Sequence, residues 1–271
     1  MREAIQKLIG NGPPSNAGLF LAHYAEGMNA QGPASADRGE AQKKAIEACN
    51  KALLDPFYKA AFDRRCRAFT NGSAKTPCTS FDLPTAGRML IGAGSENLLE
   101  VSIRLSHSYG VPLIPGTAIK GVTSHYCHDY WGTTDPQFAR GGQYHNLLFG
   151  TTDDSGTIAF HDAWIKPGSG GLVADIITPH HPGWQDGTTP PSDFDSPVPV
   201  SFLSATGTFS FFISWHGPAG LDAAKVEKWL KLTKTLIQQT LGTAGVGAKT
   251  NSGYGRLAPS GSTTPGRGRP L

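Results

Sequence analysis

PVPVSFLSATGTFSFFISW (197–215) decides the fold class. Two apolar arms flank Thr206-Gly207, and the second arm, Phe209 to Trp215, is dense in aromatic and β-prone residues. The pattern reads as a β-hairpin. Working outward, TIAFHDAWI (157–165) alternates as a half-buried strand does, and VADIITPHHPG (173–183) is an apolar run that ends in a turn. Downstream, Asp222 is placed to cap a helix that runs to Leu241 and closes at Gly242. Val226, Trp229, Leu230, Thr233, Ile237 and Leu241 form its inner face, with Lys225, Lys228, Lys231 and Lys234 turned outward.

Upstream, MREAIQKLIG (1–10) and GLFLAHYAEG (18–27) are short helix-like pieces around a Gly-Pro-Pro breaker, and 28–40 reads as a loop. A helical pattern follows from Glu40 to Leu54. Asp55-Pro56 then marks an N-cap and first helical position of a helix to about Phe69. Ile46, Leu53, Phe57 and Ala61 share one apolar face. Lys43, Lys44, Lys51, Lys59, Arg64, Arg65 and Arg67 make a basic side, which is either a solvated face or a contact for RNA or an acidic neighbour. Leu99, Val101, Ile103 and Leu105 alternate with Glu100, Ser102 and Arg104, the pattern of another half-buried strand. In PLIPGTAIKG (112–121), Pro115 and Gly116 shape a turn, and Thr117 is read as the N-cap of a helix that carries Ile119, Val122 and Tyr126 inward. Amides exposed at that helix start, with Lys120 in the first turn, are suited to an anion.

Strands interleaved with helices, a hairpin and a long last helix fit an α+β layout of the split β-α-β type. The 34 glycines and 20 prolines among 271 residues imply many turns and long loops around the core. A net charge of +3 is mildly basic, so a polyanion partner would need a local patch. Cys49, Cys66, Cys78 and Cys127 form no Cys-x-x-Cys pair, and no apolar run is long enough for secretion or a membrane span, so a reducing cytoplasm is expected. His125, Cys127 and His128 are only a partial metal set, and none is assigned to a metal. His161 and Asp162 would form a catalytic pair only beside a nucleophile or a substrate.

GVGAKTNSGYGR (245–256) is the most suggestive stretch. It is not a P-loop, because Ala248 separates Gly247 from Lys249-Thr250 and the helix comes before the loop; nor does it spell a dinucleotide fingerprint. No cofactor is expected. Gly245, Gly247, Gly253 and Gly255 allow positive φ and close backbone approach, either to a sugar-phosphate chain or within an internal turn. Lys249 and Arg256 offer charge, while Thr250, Asn251 and Ser252 offer hydrogen bonds to phosphate or ribose. Tyr254 is suited equally to stacking on a base and to filling the core.

Five segments, in order, resemble the RAMP superfamily of CRISPR systems: PLIPGTAIKGV (112–122), Phe149-Gly150 with GTIAFHDAW (156–164), DIITPHH (175–181), VPVSFLSATGTFSF (198–211) and GVGAKTNSGYGRL (245–257). Within it, the likeness is to the sixth-subunit family of the type III-B Cmr effector complex. The resemblance implies a ferredoxin-like (RRM-like) α+β core with insertions over 85–258, an antiparallel sheet with helices packed on one face, an N-terminal helical region over 1–84 and a disordered tail over 259–271. It also implies a non-catalytic RNA-binding and assembly subunit that caps the backbone near the 3′ end of the guide RNA. Its partners would be guide and target RNA, the repeated backbone subunit and the small helical subunit, with no membrane involved. In that family, target cleavage is attributed to the backbone subunit and cyclic oligoadenylate synthesis to the large subunit. RNA contact is then expected at Gly116, Thr117, Lys120 and His180, and along the loop from Gly245 and Gly247 through Lys249, Thr250, Asn251, Ser252, Gly253, Tyr254 and Gly255 to Arg256. The alternative readings are a RAMP endoribonuclease that uses a histidine on the 2′-OH of repeat RNA, and a module that binds only other subunits.

Overall fold

The computed structural model describes residues 15–24, 35–70, 76–94, 101–178, 181–185, 187–196, 199–218 and 220–258. The helix-like piece at 1–10, the tail at 259–271 and His180 lie outside the described residues. The strands are β1 (Cys78–Pro84), β2 (Leu113–Ile114), β3 (Ile158–Phe160), β4 (Ala163–Ile165), β5 (Gly171–Ile177), β6 (Val200–Thr206) and β7 (Thr208–Trp215). The helices that shape the core are α1 (Ser35–Leu54), α2 (Pro56–Thr70), α3 (Gly116–Tyr126), α4 (Gln143–Phe149) and α5 (Ala223–Thr243).

Strand β7 is the centre of the larger sheet. β1 pairs antiparallel with it through seven residues on one edge, while β3 and β4 share the other and β2 adds to β4. Register shifts by one residue between β3 and β4, so His161-Asp162 sits in a β-bulge, with the His161 amide still donating to the Phe212 carbonyl (3.1 Å). Residues 209–215 are all buried, which is why FSFFISW shows no clean polar and apolar alternation.

Successive residues of β7 face opposite ways. Phe211 stacks on Phe81 (5.4 Å), whose ring also lies under the Lys234 ammonium of α5. On the opposite face, Phe212 meets Phe69 of α2 (4.8 Å). Helices therefore cover both faces, which corrects the expectation of helices on one face; a central strand apolar on both sides needs two covers. The division expected at 84–85 falls immediately after β1, which pairs along its whole length with β7.

The expected hairpin does not form. β6 pairs instead with β5 through seven residues in a separate two-stranded sheet, and its other edge bridges to Met89 through two hydrogen bonds with Ala205 (2.8 and 2.9 Å). Only Gly207 separates β6 from β7, too few residues for a hairpin turn, and its φ of 143° redirects the chain from one sheet into the other. The strand expected across 99–105 is absent from its described part: Ser102 and Ile103 are both buried, Arg104 is exposed, and Leu105 alone bridges to Pro112.

Helix signals fared better. Asp55 accepts from the Phe57 amide (2.7 Å) and Asp222 from the Ala224 amide (3.1 Å), each as an N-cap. α1 starts at Ser35, ahead of the expected Glu40, and packs on β5. Phe57 points outward; Tyr58 is the buried ring, its hydroxyl donating to the Ile165 carbonyl (2.6 Å). α5 continues past Gly242 to Thr243, because the left-handed closing glycine is Gly245, whose amide donates to the Thr240 carbonyl (3.1 Å). Among the described residues, no helix is long and apolar enough to cross a membrane.

Removing the ring at the middle of this arrangement tests it: Phe211→Ala should lower unfolding free energy by about 3–5 kcal/mol in urea titrations. A loss below about 1 kcal/mol would mean that β7 is not the packing centre.

Candidate nucleic-acid interface

The glycine-rich segment after α5 folds back on residues 86–90. Ala248 donates to Leu90 (2.7 Å), Gly255 to Arg88 (2.8 Å) and Val246 to Gly255 (2.9 Å), while Ala86 donates to Arg256 (2.8 Å). A Cβ on Gly247 would lie 2.3 Å from the Leu90 carbonyl oxygen, and one on Gly255 2.0 Å from that of Val246. Gly245, also at positive φ, would meet Gly255 at 3.0 Å. Three of the four glycines thus serve the protein's own close backbone contacts. Gly253 is different: its φ is +91° and its Cβ would meet nothing within 4 Å.

What these contacts hold outward is the tip. Lys249 adopts a left-handed conformation (φ 59°, ψ 29°), the only non-glycine among the described residues at positive φ, and its carbonyl accepts from Ser252 (2.9 Å) and Tyr254 (3.3 Å). Asn251, Ser252 and Gly253 are exposed around a turn at Thr250–Ser252; Lys249 and Thr250 are half-buried. Arg256 is also half-buried, and its Nε is enclosed without a hydrogen-bond partner among the described residues.

Tyr254 fastens the loop to the second sheet. Its hydroxyl donates to the Asp175 carboxylate, Arg88 reaches the same oxygen (2.7 Å), and the Phe202 ring lies 6.2 Å away. Burial pushes the Asp175 carboxyl up, but the Tyr254 hydroxyl, the Arg88 guanidinium and the Ile176 amide outweigh it and hold the group below its ordinary value. Tyr254 is half-buried and tied down by its hydroxyl, but it is not a core residue, and its side lines an open groove. Arg88, Asp175, Ser252, Gly253 and Tyr254 line an open groove at this latch. Sequence reasoning missed Arg88, which sits in no pattern, and gave no role to Asp175, although it opens DIITPHH; only the docking of the loop unites them.

The start of α3 is built differently. Gly116 is buried, and its amide donates to the Asp162 carboxylate (2.8 Å), which the β3–β4 bulge delivers there. Asp162, not Thr117, therefore supplies the side chain at this helix start; Thr117 is exposed and Lys120 half-buried. The protein's own carboxylate already meets part of the positive end that was read as an anion site. A Cβ on Gly116 would lie 2.1 Å from the Phe160 carbonyl oxygen, so the bulge and the glycine require each other. Beside them, His161 Nε2 lies 2.8 Å from Ser214 Oγ, which lies 3.0 Å from His216 Nε2. Burial, then Arg65 and His216, push the His161 pKa below its ordinary value.

His125, Cys127 and His128 have separate partners: Asp129 (3.0 Å), the Phe138 carbonyl (3.5 Å) and the Arg140 amide (3.1 Å). Among the described residues, no three metal-ligating side chains converge. His181 pairs with Asp195 (2.9 Å).

The family model described as the RAMP superfamily matches residues 82–258. The chain belongs to the RAMP superfamily. This RAMP protein is similar to the CRISPR system Cmr subunit Cmr6 of Pyrococcus furiosus, with 31% identity over a 232-residue alignment and coverage of 64% of this chain and 65% of the relative. It is also similar to Cmr6 of Saccharolobus solfataricus, 28% identical over 113 residues that cover 40% of this chain and 37% of that one. The chain thus spans less than two thirds of the length of either relative. A chain of the cryo-EM structure of the type III-B Cmr-beta bound to cognate target RNA shares its fold, with a TM-score of 0.61, 23% identity, and coverage of 85% of this chain and 76% of that one.

Two outcomes follow from the loop geometry. Gly255→Ala should cost more than about 2 kcal/mol, since it adds a clash to a left-handed residue, whereas Gly253→Ala should cost only about 1 kcal/mol. Equal melting temperatures for the two would contradict the internal role of Gly255. Tyr254→Phe should be less stable than the parent at neutral pH. Because the Asp175 carboxyl is held below 3.8, its contribution is present above that value and is lost as pH falls through the folded pKa, so the gap should close in acid. Denaturant melts across the acid range check this, and a constant gap would refute it.

Proposed function

We propose that this RAMP protein is a non-catalytic RNA-binding and assembly subunit of a type III-B Cmr effector complex, working in the cytoplasm at the end of the backbone near the 3′ end of the guide RNA. The likeness to Cmr6 supports membership of the complex, and with it a ferredoxin-like core and neighbours that include the repeated backbone subunit and the small helical subunit. The observation that carries RNA binding is the tip of the glycine-rich loop. Lys249 to Gly253 is held outward by backbone hydrogen bonds beneath it, so a cation and short polar side chains stand ready for a sugar-phosphate chain without further ordering. Lys120 and exposed Thr117 at the start of α3 add a second point of contact for guide or target RNA.

One observation favours the endoribonuclease reading: two histidine nitrogens flank the Ser214 hydroxyl. Ser214 is buried, however, and its hydroxyl occupies the His161 Nε2 that a 2′-OH would need. The isolated chain should not cleave repeat RNA, with or without divalent metal; cleavage that disappears in His161→Ala would overturn this.

Binding itself is tested by filter titrations over several salt concentrations. Lys249→Ala and Lys120→Ala should each weaken binding equally for different RNA sequences and reduce the salt slope by about 1. Unchanged slopes in both folded variants would refute the assignment.

A further inference from the structure

Next to the bulge, one arginine stands outside the interface described above. Arg65 of α2 places its guanidinium carbon 4.7 Å from the Trp164 ring centre, 5.1 Å from that of Phe212 and 5.5 Å from that of Phe69. Its Nη2 donates to the Asp162 carbonyl (3.1 Å), and its Nε is enclosed without a partner among the described residues. A half-exposed guanidinium is thus fixed as a flat cation over an indole, with one of its five donors engaged.

The rings continue from there to solvent. Trp164 stacks on Tyr58 (6.2 Å, 13° between planes) and meets Tyr109 edge-on (5.6 Å), and Tyr109 meets Phe57 (6.2 Å). Phe57 is 73% exposed and Leu54, three residues before it, 75%, so the rings end in an exposed apolar patch where α1 meets α2. Charge identifies the partner: α2 carries Lys59, Arg64, Arg65 and Arg67 against a single carboxylate, Asp63, which is already paired with Lys59 (2.6 Å). An apolar protein surface would have to bury or face those cations, whereas single-stranded nucleic acid matches both features, since bases stack on rings and phosphates meet cations.

We propose that Phe57 and Tyr109, backed by the Trp164–Arg65 stack, form a stacking platform for unpaired bases of single-stranded RNA, with Arg64 beside it for a phosphate, distinct from the glycine-rich loop. The proposal rests on the RNA-binding reading above and adds a base-stacking surface on the N-terminal helices. Binding there is tolerant of sequence, because every base has a flat face.

The test uses the full chain and a short oligouridylate, alongside an abasic strand of equal length, followed by fluorescence anisotropy. Phe57→Ala, at an exposed position, should lower affinity for the oligouridylate about tenfold, the loss of one stack, with the salt slope unchanged and no effect on the abasic strand. Arg64→Ala, also at an exposed position, should weaken binding of both strands and reduce the salt slope by about 1. Photo-crosslinking of a 4-thiouridine strand should map to α2 as well as to the loop. If Phe57→Ala binds like the parent and crosslinks map only to residues 247–254, the platform is wrong while the RNA-binding reading stands. If the parent binds no RNA, both fall. If Phe57→Ala instead loses another subunit on co-purification with RNA affinity intact, the face is a protein interface and the proposal is overturned.

Discussion

Strand β7 has both of its edges paired and both of its faces buried, and most of the molecule is arranged to meet that demand. Its phenylalanines need two layers of helix, supplied by α5 on one side and α2 on the other. Its serines need polar partners within the core. Ser210 donates to Asp82 of β1 (2.6 Å), and Ser214 engages His161 at the bulge. The bulge in turn aims the Asp162 carboxylate at the start of α3 and its carbonyl at Arg65. The polar corner is therefore a consequence of how the central strand is paired, and His161 and His216 both lie within hydrogen-bond distance of the Ser214 hydroxyl there.

Glycine-rich loops are readily taken as flexible hands for a ligand. Here the backbone freedom of Gly245, Gly247 and Gly255 is used inward, to let residues 245–248 and 254–256 lie against 86–90. The Tyr254–Asp175–Arg88 latch ties the same segment to β5. The tip that remains is small and fixed in place, and a fixed tip loses less conformational entropy on binding than a mobile loop would. Internal close packing and a surface tip are parts of one arrangement, because the hydrogen bonds that hold 245–248 and 254–256 inward leave Asn251, Ser252 and Gly253 at the surface.

Local signals in the chain were legible and distant ones were not. Asp55-Pro56 and Asp222 marked helix starts correctly, because capping depends on residues two or three positions apart. β7 was evident from its own composition. The hairpin expectation failed because the turn Thr206-Gly207 says nothing about which strand β6 will pair with, and β5 lies some thirty residues earlier. Thr117 fitted the local pattern for an N-cap, but Asp162 came to lie at that helix start through the bulge, 46 residues away. Phe57 and Tyr58 were confused because their positions on α2 differ by one residue. Arg88 and Arg65 acquired meaning only from the surfaces brought against them. The order of the five motifs carried what periodicity lacked, and membership of the RAMP superfamily is the level at which sequence and fold agree.

The most direct test of a preformed RNA-facing tip is amide hydrogen exchange of the full chain, measured residue by residue with and without single-stranded RNA. Amides of Val246, Ala248 and Gly255 should be protected already in the free protein and remain unchanged, while those of residues 249–253 should gain protection when RNA is added. Free exchange throughout 245–256 before RNA is added, or RNA binding that leaves residues 249–253 unaltered, would contradict it.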